Sequence, residues 1–200
     1  MNNSRQVVVK FVTVVLLGLV PAVSLAWKSV EAGKPFVHKP SGYSVMFPDD
    51  WKYSRLWFSD ESGATRDGPG LQAIYVDFRP AKNAFRALKK GSTESMLPQE
   101  AAQLLIADMT KERSWDNVQV LGNEPAEIAG RPGFRLQIEY KNPIERGAVR
   151  YREIIGAVVL ANGVYLIGYR APVLFYFNRD VGQFEATLAS FKIEPPAPRK

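Results

Sequence analysis

The sequence predicts an α+β domain, in which a mainly antiparallel β-sheet is covered by helices. Three observations carry this prediction. Apolar and polar residues alternate in several segments, most regularly over 134–141, which is the pattern of a strand with one buried face. Two other segments repeat apolar residues at helical spacing, and each follows a group of strands. The dipeptide Asn162-Gly163 lies between two apolar segments and predicts a two-residue hairpin turn.

The chain begins with the features of a secretory signal peptide. Arg5 and Lys10 precede an apolar stretch over residues 11–20, and the small residues Ser24 and Ala26 occupy the −3 and −1 positions of a cleavage site. We therefore predict cleavage after Ala26 and a periplasmic or secreted protein. The alternative is a retained membrane anchor, which needs about 20 apolar residues, and the run here is about half as long.

Composition predicts a single exported domain. Cleavage of residues 1–26 from the 200-residue chain would leave 174 residues, which we divide into an extended lead-in (27–40), one domain (41–193) and a disordered, proline-rich tail (194–200). The formal charge of +6 falls to +4, because two cations and no acid leave with the signal peptide. This charge is too small to indicate a nucleic-acid partner. The absence of cysteine excludes disulfides and thiol chemistry.

Three strands are predicted in the first half of the domain. Residues 43–47 alternate and are followed by a turn, after which residues 51–58 are predicted to return as a second strand. Residues 60–70, with three glycines and a proline, are predicted to form a loop, and residues 71–79 the next strand. The second of these strands carries an aromatic stripe that is predicted to lie in the core, formed by Trp51, Tyr53 and Trp57.

A helix is predicted to begin at Pro98 and to end near Arg113, with Ala102, Leu105, Ile106 and Met109 on its apolar face. The elements predicted after it are short strands at 118–121 and 126–129, a turn at 130–133, strands at 134–141 and 149–160, and a returning strand at 164–170. A final helix carries a stripe formed by Phe177, Val181, Phe184, Leu188 and Phe191. Because burial of each large side chain contributes roughly 1.5–3 kcal/mol, this helix is expected to pack on the sheet.

Three short segments share the pattern of a known family. They are the opening Gly42–Trp51, with its glycine, aromatic residue, strand, proline and tryptophan, the turn Gly130–Gly133, and the end of the last helix at Ser190–Ile193. Together they resemble the PsbP-like domain superfamily. The resemblance covers roughly residues 36–193 and rests on structural residues. It implies an α/β/α sandwich with a non-enzymatic, partner-binding or assembly role. No catalytic or metal-binding residue is carried over from it.

One face of the predicted hairpin over 134–160 is polar and rich in arginine. Pairing across residues 142–147 would put Glu139 opposite Arg150, and Gln137 opposite Arg152. Such a face could bind a carboxylate or a phosphate through paired N–H donors. The alternative is ordinary charge pairing across exposed strands, worth about 0.2–1 kcal/mol per pair. The candidate binding residues are Arg135, Gln137, Arg150 and Arg152.

A second candidate surface is the basic segment 79–90. Its apolar residues Ala81, Ala84, Phe85 and Leu88 would share one helical face, and its basic residues Lys82, Arg86, Lys89 and Lys90 another. A short basic amphipathic turn of this kind could contact an anionic membrane surface weakly, or an acidic partner. The alternative is a segment whose charges only face water.

The sequence favours a non-catalytic role. His38 is the only histidine, which argues against a serine or cysteine triad and against a zinc site, and we predict no catalytic residue, metal or cofactor. The leading hypothesis is an exported interaction or assembly module that binds an envelope protein or complex. The alternatives are a periplasmic binder of a small anionic ligand or ion, and a hydrolase with two carboxylates drawn from Asp49, Asp50 and Asp77, which would have to converge at about 5–10 Å. The oligomeric state is not predicted.

Overall fold

The structure is a computed structural model that describes residues 28–53, 61–113, 116–141 and 149–194. The predicted signal peptide and nearly all of the predicted tail, from residue 195 on, lie outside the described residues, as does Trp57. Neither helix in the described part of the chain is long and apolar enough to cross a membrane.

The described residues form eleven strands and two α-helices. The strands are β1 (Lys28–Ser29), β2 (Phe36–His38), β3 (Tyr43–Val45), β4 (Lys52–Tyr53), β5 (Glu61–Thr65), β6 (Ala73–Pro80), β7 (Asp116–Ile128), β8 (Arg131–Lys141), β9 (Arg150–Leu160), β10 (Gly163–Pro172) and β11 (Lys192–Ile193). The helices are α1 (Pro98–Arg113) and α2 (Tyr176–Ser190), and a 3₁₀ turn (Ala81–Asn83) follows β6. The first helix has the predicted bounds.

The strands form two sheets. Eight of them lie in the order β1-β4-β5-β6-β10-β9-β8-β7, and every neighbouring pair is antiparallel. The three others form a small sheet in the order β11-β3-β2. The predicted α+β fold with a mainly antiparallel sheet is therefore confirmed.

Side chains alternate in direction along the central strands, so that both faces of the large sheet carry apolar side chains. One helix covers each face. On one face Ile154 and Ile167 belong to the core under α2, to which Phe177 and Phe184 contribute from the predicted stripe. On the other face Ile155 and its neighbours pack against α1 through the predicted apolar side of that helix. Trp51 is fully buried in the α2 core, as predicted for the aromatic stripe, and its indole Nε1 donates to Gln183 Oε1 at 2.5 Å.

The first half of the domain differs from the prediction in two places. The strands β3 and β4 do not form a hairpin, because β3 joins the small sheet and β4 the large one. The predicted loop over 60–70 contains β5, which pairs with β4 and β6. Its residues Gly63 and Ala64 are buried between those neighbours, so that tertiary pairing overrides the low strand propensity of small residues.

The second half has one long strand where two short ones were predicted. β7 runs continuously through Pro125, which is tolerated because β7 is the edge strand of the sheet and has a free N–H side. The predicted turn over 130–133 is also wrong. The turn lies at Ala129 and Gly130, whose φ angles of 52° and 72° are those of a tight hairpin, and Arg131 already begins β8.

The hairpin between β9 and β10 is displaced by one residue from the predicted Asn162-Gly163 turn. Gly163 pairs with Leu160, so that Ala161 and Asn162 form the turn. The glycine serves another purpose: a Cβ at this position would lie 2.2 Å from the backbone oxygen of Arg79 in β6. The absence of a side chain at Gly163 is therefore needed for the close approach of β10 to β6, and not for the turn.

The basic segment is not helical beyond its 3₁₀ turn. Backbone N–H groups of Phe85 and Lys90 donate to each other's carbonyl at 3.0 and 3.1 Å, and Lys89 has a φ of 56°. The predicted arrangement of two helical faces is therefore wrong. Its apolar residues Ala84 and Phe85 are nevertheless buried, in the core under α1.

Candidate interaction surface

The hairpin arginines lie at one end of the large sheet, where β8 ends, β9 begins and β10 ends. The register there pairs Glu139 with Arg152, and Lys141 with Arg150. The predicted pairing of Glu139 with Arg150 is therefore wrong by two residues. Since side chains repeat their direction every two residues, this shift leaves every side chain on its predicted face, and the alternation of the sequence could not distinguish the two registers.

Arg150 and Arg152 share one buried carboxylate. Arg150 Nη2 donates to Glu139 Oε1, and Arg152 Nη2 donates to Glu139 Oε2 at 3.2 Å. The Arg152 guanidinium also lies over the ring of Phe177, 5.0 Å from its centre. The Glu139 side chain is only 6% exposed, whereas that of Arg150 is 54% exposed. The surface at this point therefore presents positive charge, with the compensating negative charge beneath it.

The other two candidate binding residues are not part of this group. Arg135 Nη1 donates to Glu185 Oε2 of α2 at 3.1 Å and lies opposite Glu124 in β7. Gln137 is paired with Ile154 rather than with an arginine. The structure thus brings Arg150 and Arg152 together and leaves Arg135 bound to the second helix.

The turn between β10 and α2 exposes two large apolar side chains beside these arginines. Leu174 is 84% exposed and Phe175 is 67% exposed. Phe175 has a φ of 69°, which is unusual for a residue with a side chain. The turn is tied to β9 because the backbone N–H of Val173 donates to the carbonyl of Arg150 at 2.9 Å.

Arg179 supports this turn from the first part of α2. Its guanidinium lies 5.2 Å from the ring centres of both Phe175 and Tyr176. Arg179 Nε donates to the buried Asp180 at 3.0 Å, and its Nη2 donates to Asp67. These hydrogen bonds raise the pKa of Arg179, and the bond from Arg179, followed by one from Gln72, lowers the pKa of Asp67. Both groups are thus held in their charged forms.

We call this set of residues the turn surface: Arg150, Arg152, Leu174, Phe175 and Arg179. The apolar pair at its tip was missed by the sequence analysis. One signal for it is present, because Phe175 is a large apolar residue directly before α2 that does not fit the stripe of that helix, whereas Leu174 lies three residues before Phe177 and continues the spacing of the stripe. A run of this kind is as consistent with a buried strand end as with an exposed turn.

The basic segment lies elsewhere in the molecule. It follows the carboxyl end of β6, which pairs with Gly163 at the start of β10, whereas the turn surface lies at the end of β10. Arg86 Nη2 is 3.9 Å from Asp77 Oδ1, and Lys82, Lys89 and Lys90 are not buried. The contact of this segment with an anionic membrane stays a prediction, which co-sedimentation with anionic vesicles at low salt would test.

Of the three acids considered for a hydrolase, Asp77 lies apart from Asp50. Asp77 Oδ2 accepts from Arg79 Nε at 2.6 Å, in a buried network with Asp108 of α1. Asp50 pairs at 3.1 Å with Arg66, which also contacts Asp180 of α2 on the opposite face of the sheet. Within the described ranges, no group of three or more histidine, cysteine or acidic side chains could hold a metal ion.

The sequence matches no protein-family model and no curated protein sequence. Two solved structures resemble the fold with similar scores. The Ran-binding protein Mog1p of Saccharomyces cerevisiae matches with a TM-score of 0.52 and 12% identity, over 85% of this chain and 96% of Mog1p. LpqN of Mycobacterium tuberculosis matches with a TM-score of 0.51 and 13% identity, over 81% of this chain and 90% of LpqN.

Cyanobacterial PsbP from Synechocystis also matches, with a TM-score of 0.49 and 11% identity, over 80% of this chain and 91% of that protein. A further match, to a protein of Bacteroides thetaiotaomicron, has a TM-score of 0.48 and 10% identity; it covers 84% of this chain, which spans 51% of that protein. At such identities the likenesses to Mog1p and LpqN show the fold alone. The chain has the α+β fold that it shares with Mog1p and LpqN, and a PsbP protein, of the family named by the sequence resemblance, is among the similar structures.

Proposed function

We propose that this protein is an exported, non-catalytic interaction or assembly module, and that it binds an envelope protein or complex through the turn surface. The observation that carries the proposal is the adjacent exposure of Leu174 and Phe175 at 84% and 67%. Large apolar side chains that protrude together lower the solubility of a protein, and they are typical of binding sites. Aromatic residues at the centre of an interface contribute a large share of its affinity.

The strained backbone of Phe175 supports the proposal. A φ of 69° at a residue with a side chain costs about 1–3 kcal/mol, which must be offset by surrounding contacts. Arg179 provides such contacts by lying against the Phe175 and Tyr176 rings. The protein thus maintains an unfavourable conformation that directs an apolar side chain outward, and a turn that is rigid before binding loses less entropy when the partner binds.

Charge indicates the kind of partner. Arg150 is 54% exposed, whereas its carboxylate partner Glu139 is 6% exposed. Arg179 differs, because one of its two carboxylate partners, Asp67, is itself 36% exposed. The turn surface is therefore cationic at Arg150 and Arg152, on one side of its apolar tip. Such a surface is complementary to a protein that presents acidic residues beside an apolar depression.

The place of action follows from the predicted signal peptide, and two proteins of the same fold provide a parallel. Mog1p is described as a Ran-binding protein, and LpqN as involved in cell envelope biogenesis. A fold that supports protein binding in one case and an envelope role in another is compatible with both parts of the proposal. The fold by itself is evidence neither for protein binding nor for an envelope location, because one fold can have many functions.

A photo-crosslinking amino acid at position 175 is expected to form one dominant protein adduct in intact envelopes. Additional replacement of Leu174 with serine is expected to reduce this adduct about tenfold or more, because a buried interface anchor is lost. The stability of the protein should change by no more than about 0.5 kcal/mol, since Leu174 is exposed. Immunoblotting and mass spectrometry of the adduct, together with urea denaturation, measure the two effects.

Two matched controls make this experiment decisive. The same crosslinker at Gln103, on the exposed side of α1, should not give the adduct, and replacement of the exposed Leu97 with serine should not reduce it. Equal adducts from positions 103 and 175 would contradict the proposal. Adducts to lipid instead of protein would replace the protein partner with a membrane surface.

A further inference from the structure

A small cleft adjoins the turn surface between β7, β8 and β9. Its volume is about 230 Å³, and its lining consists of Asn117, Gln119, Glu139, Tyr140, Lys141 and Arg150. Two of these residues offer side-chain amides, and two are cations. The single carboxylate among them is the buried group that Arg150 and Arg152 already share.

The two arginines have more hydrogen-bond donors than Glu139 can accept. Each guanidinium carries five N–H groups, and each donates once to the carboxylate. The Nε of Arg152 is buried and has no hydrogen-bond partner among the described residues. A buried donor without an acceptor costs about 1–3 kcal/mol. Arg152 does not line the cleft, whereas Arg150 does and is 54% exposed, so the remaining N–H groups of Arg150 are the donors available to an acceptor there.

Charge at the cleft is also incompletely balanced. Arg150 and Arg152 together face one carboxylate, which leaves one positive charge in excess. Lys141 lies directly opposite Arg150 in the register, and like charges in that position destabilise a sheet. Asp116 of β7 is the register partner of Lys141, so Lys141 is left out of this excess of charge.

We infer that this cleft is a carboxylate-binding site in which the Arg150 guanidinium holds a second carboxylate beside Glu139, while Arg152 adds positive charge behind Glu139. An excess of one positive charge suits a singly charged carboxylate better than a phosphate dianion, and planar guanidinium groups bind carboxylates through paired N–H donors. The carboxylate has two sources. It is either an acidic side chain of the docked protein, in which case the inference rests on the proposed function, or a small free carboxylate.

Acetate is the probe for the site itself. In the isotope-labelled protein, acetate is expected to shift the Nε–H signal of Arg150 saturably at millimolar concentration, whereas chloride at equal ionic strength is not. Replacement of Arg150 with glutamine should abolish saturation. Replacement of Arg135 with glutamine is the matched control and should not, because Arg135 is bound to Glu185. Shifts that chloride reproduces, or that survive in the Arg150→Gln protein, would overturn the inference.

A second variant separates binding from a structural role. Glu139→Gln removes the internal carboxylate that occupies both guanidinium groups, so the affinity for acetate is expected to rise several-fold. If Arg150 and Arg152 served only to neutralise Glu139, this variant would be less stable but would bind acetate no better. Urea denaturation of the same sample shows that the protein is folded during the titration.

The crosslinker at position 175 then distinguishes the two sources. If Arg150→Gln weakens the protein adduct about tenfold and acetate competes with it, the carboxylate belongs to the partner. If acetate binds but Arg150→Gln leaves the yield of the protein adduct unchanged, the site binds a free carboxylate and the proposed function still holds. If acetate binds and no protein adduct forms, the proposed function alone fails. Absence of saturable acetate binding overturns the carboxylate site, whether or not the adduct forms.

Discussion

Replacement of Asp108 with alanine is expected to lower the free energy of unfolding by about 3–5 kcal/mol, because it leaves a buried cation with too few partners. Asp108 is fully buried, and its Oδ2 accepts from Arg79 Nη1 at 2.8 Å. Its Oδ1 accepts from the backbone N–H of Leu88 at 3.1 Å. The Arg79 side chain is only 3% exposed, so water cannot replace the lost carboxylate.

Urea denaturation measures the loss, with Glu100→Ala as the control because Glu100 is an exposed acid on the same helix. The control is expected to change stability by no more than about 0.5 kcal/mol. Hydrogen exchange at the Leu88 amide should accelerate in the Asp108 variant, since this bond attaches the basic segment to α1. A loss below about 1 kcal/mol would show that the remaining carboxylates, Asp77 and Glu112, compensate Arg79.

Above pH 10 the protein is expected to lose stability steeply, because two buried tyrosines resist ionisation. Burial, and then the nearby Glu153 carboxylate, raise the pKa of Tyr140 well above its usual value. Burial, and then Asp180, raise the pKa of Tyr169 well above its usual value. These tyrosines ionise near pH 10 in the unfolded chain but stay protonated in the folded one. Stability is therefore complete below about pH 10, and each tyrosine reduces it by at most about 1.4 kcal/mol per pH unit above that value.

Urea midpoints between pH 8 and pH 11.5 test this dependence. Tyr140→Phe and Tyr169→Phe should each flatten the alkaline slope by one proton, whatever they do to the stability at pH 8. Lysines that are exposed in both states do not contribute to the slope, since only a difference in pKa between the two states does. An unchanged slope in both variants would contradict the assignment to these residues.

The elements that the sequence predicts correctly are those governed by local periodicity. The first helix was placed at its observed bounds because its apolar residues recur at helical spacing from Pro98 onward. The stripe of α2 and the strand β8 followed from the same reasoning, and they were sufficient to predict the fold class. Such a pattern lies within a single helix or strand, because the spacing of its apolar residues reports only which side of that element is buried.

What could not be predicted depends on residues far apart in the chain. The separation of β3 and β4 into two sheets is decided by β11 and β1, which no local pattern connects to them. The register of β8 against β9 is invisible to alternation when the shift is two residues. Phe175 and Phe177 are alike in sequence, yet the first is 67% exposed and the second 3% exposed, and only the packing of α2 on the sheet distinguishes them.

The small sheet has a consequence for the order in which the chain folds during the proposed export. β3 lies near the beginning of the domain and β11 at its end, and the backbone N–H of Met46 donates to Ser190 Oγ across 144 residues of sequence. A chain that emerges from its N-terminus delivers β11 last, so β3 can pair with β2 early but with β11 only at the end. Contacts of such long range form slowly. The small sheet is therefore completed last, and its completion joins the two ends of the domain.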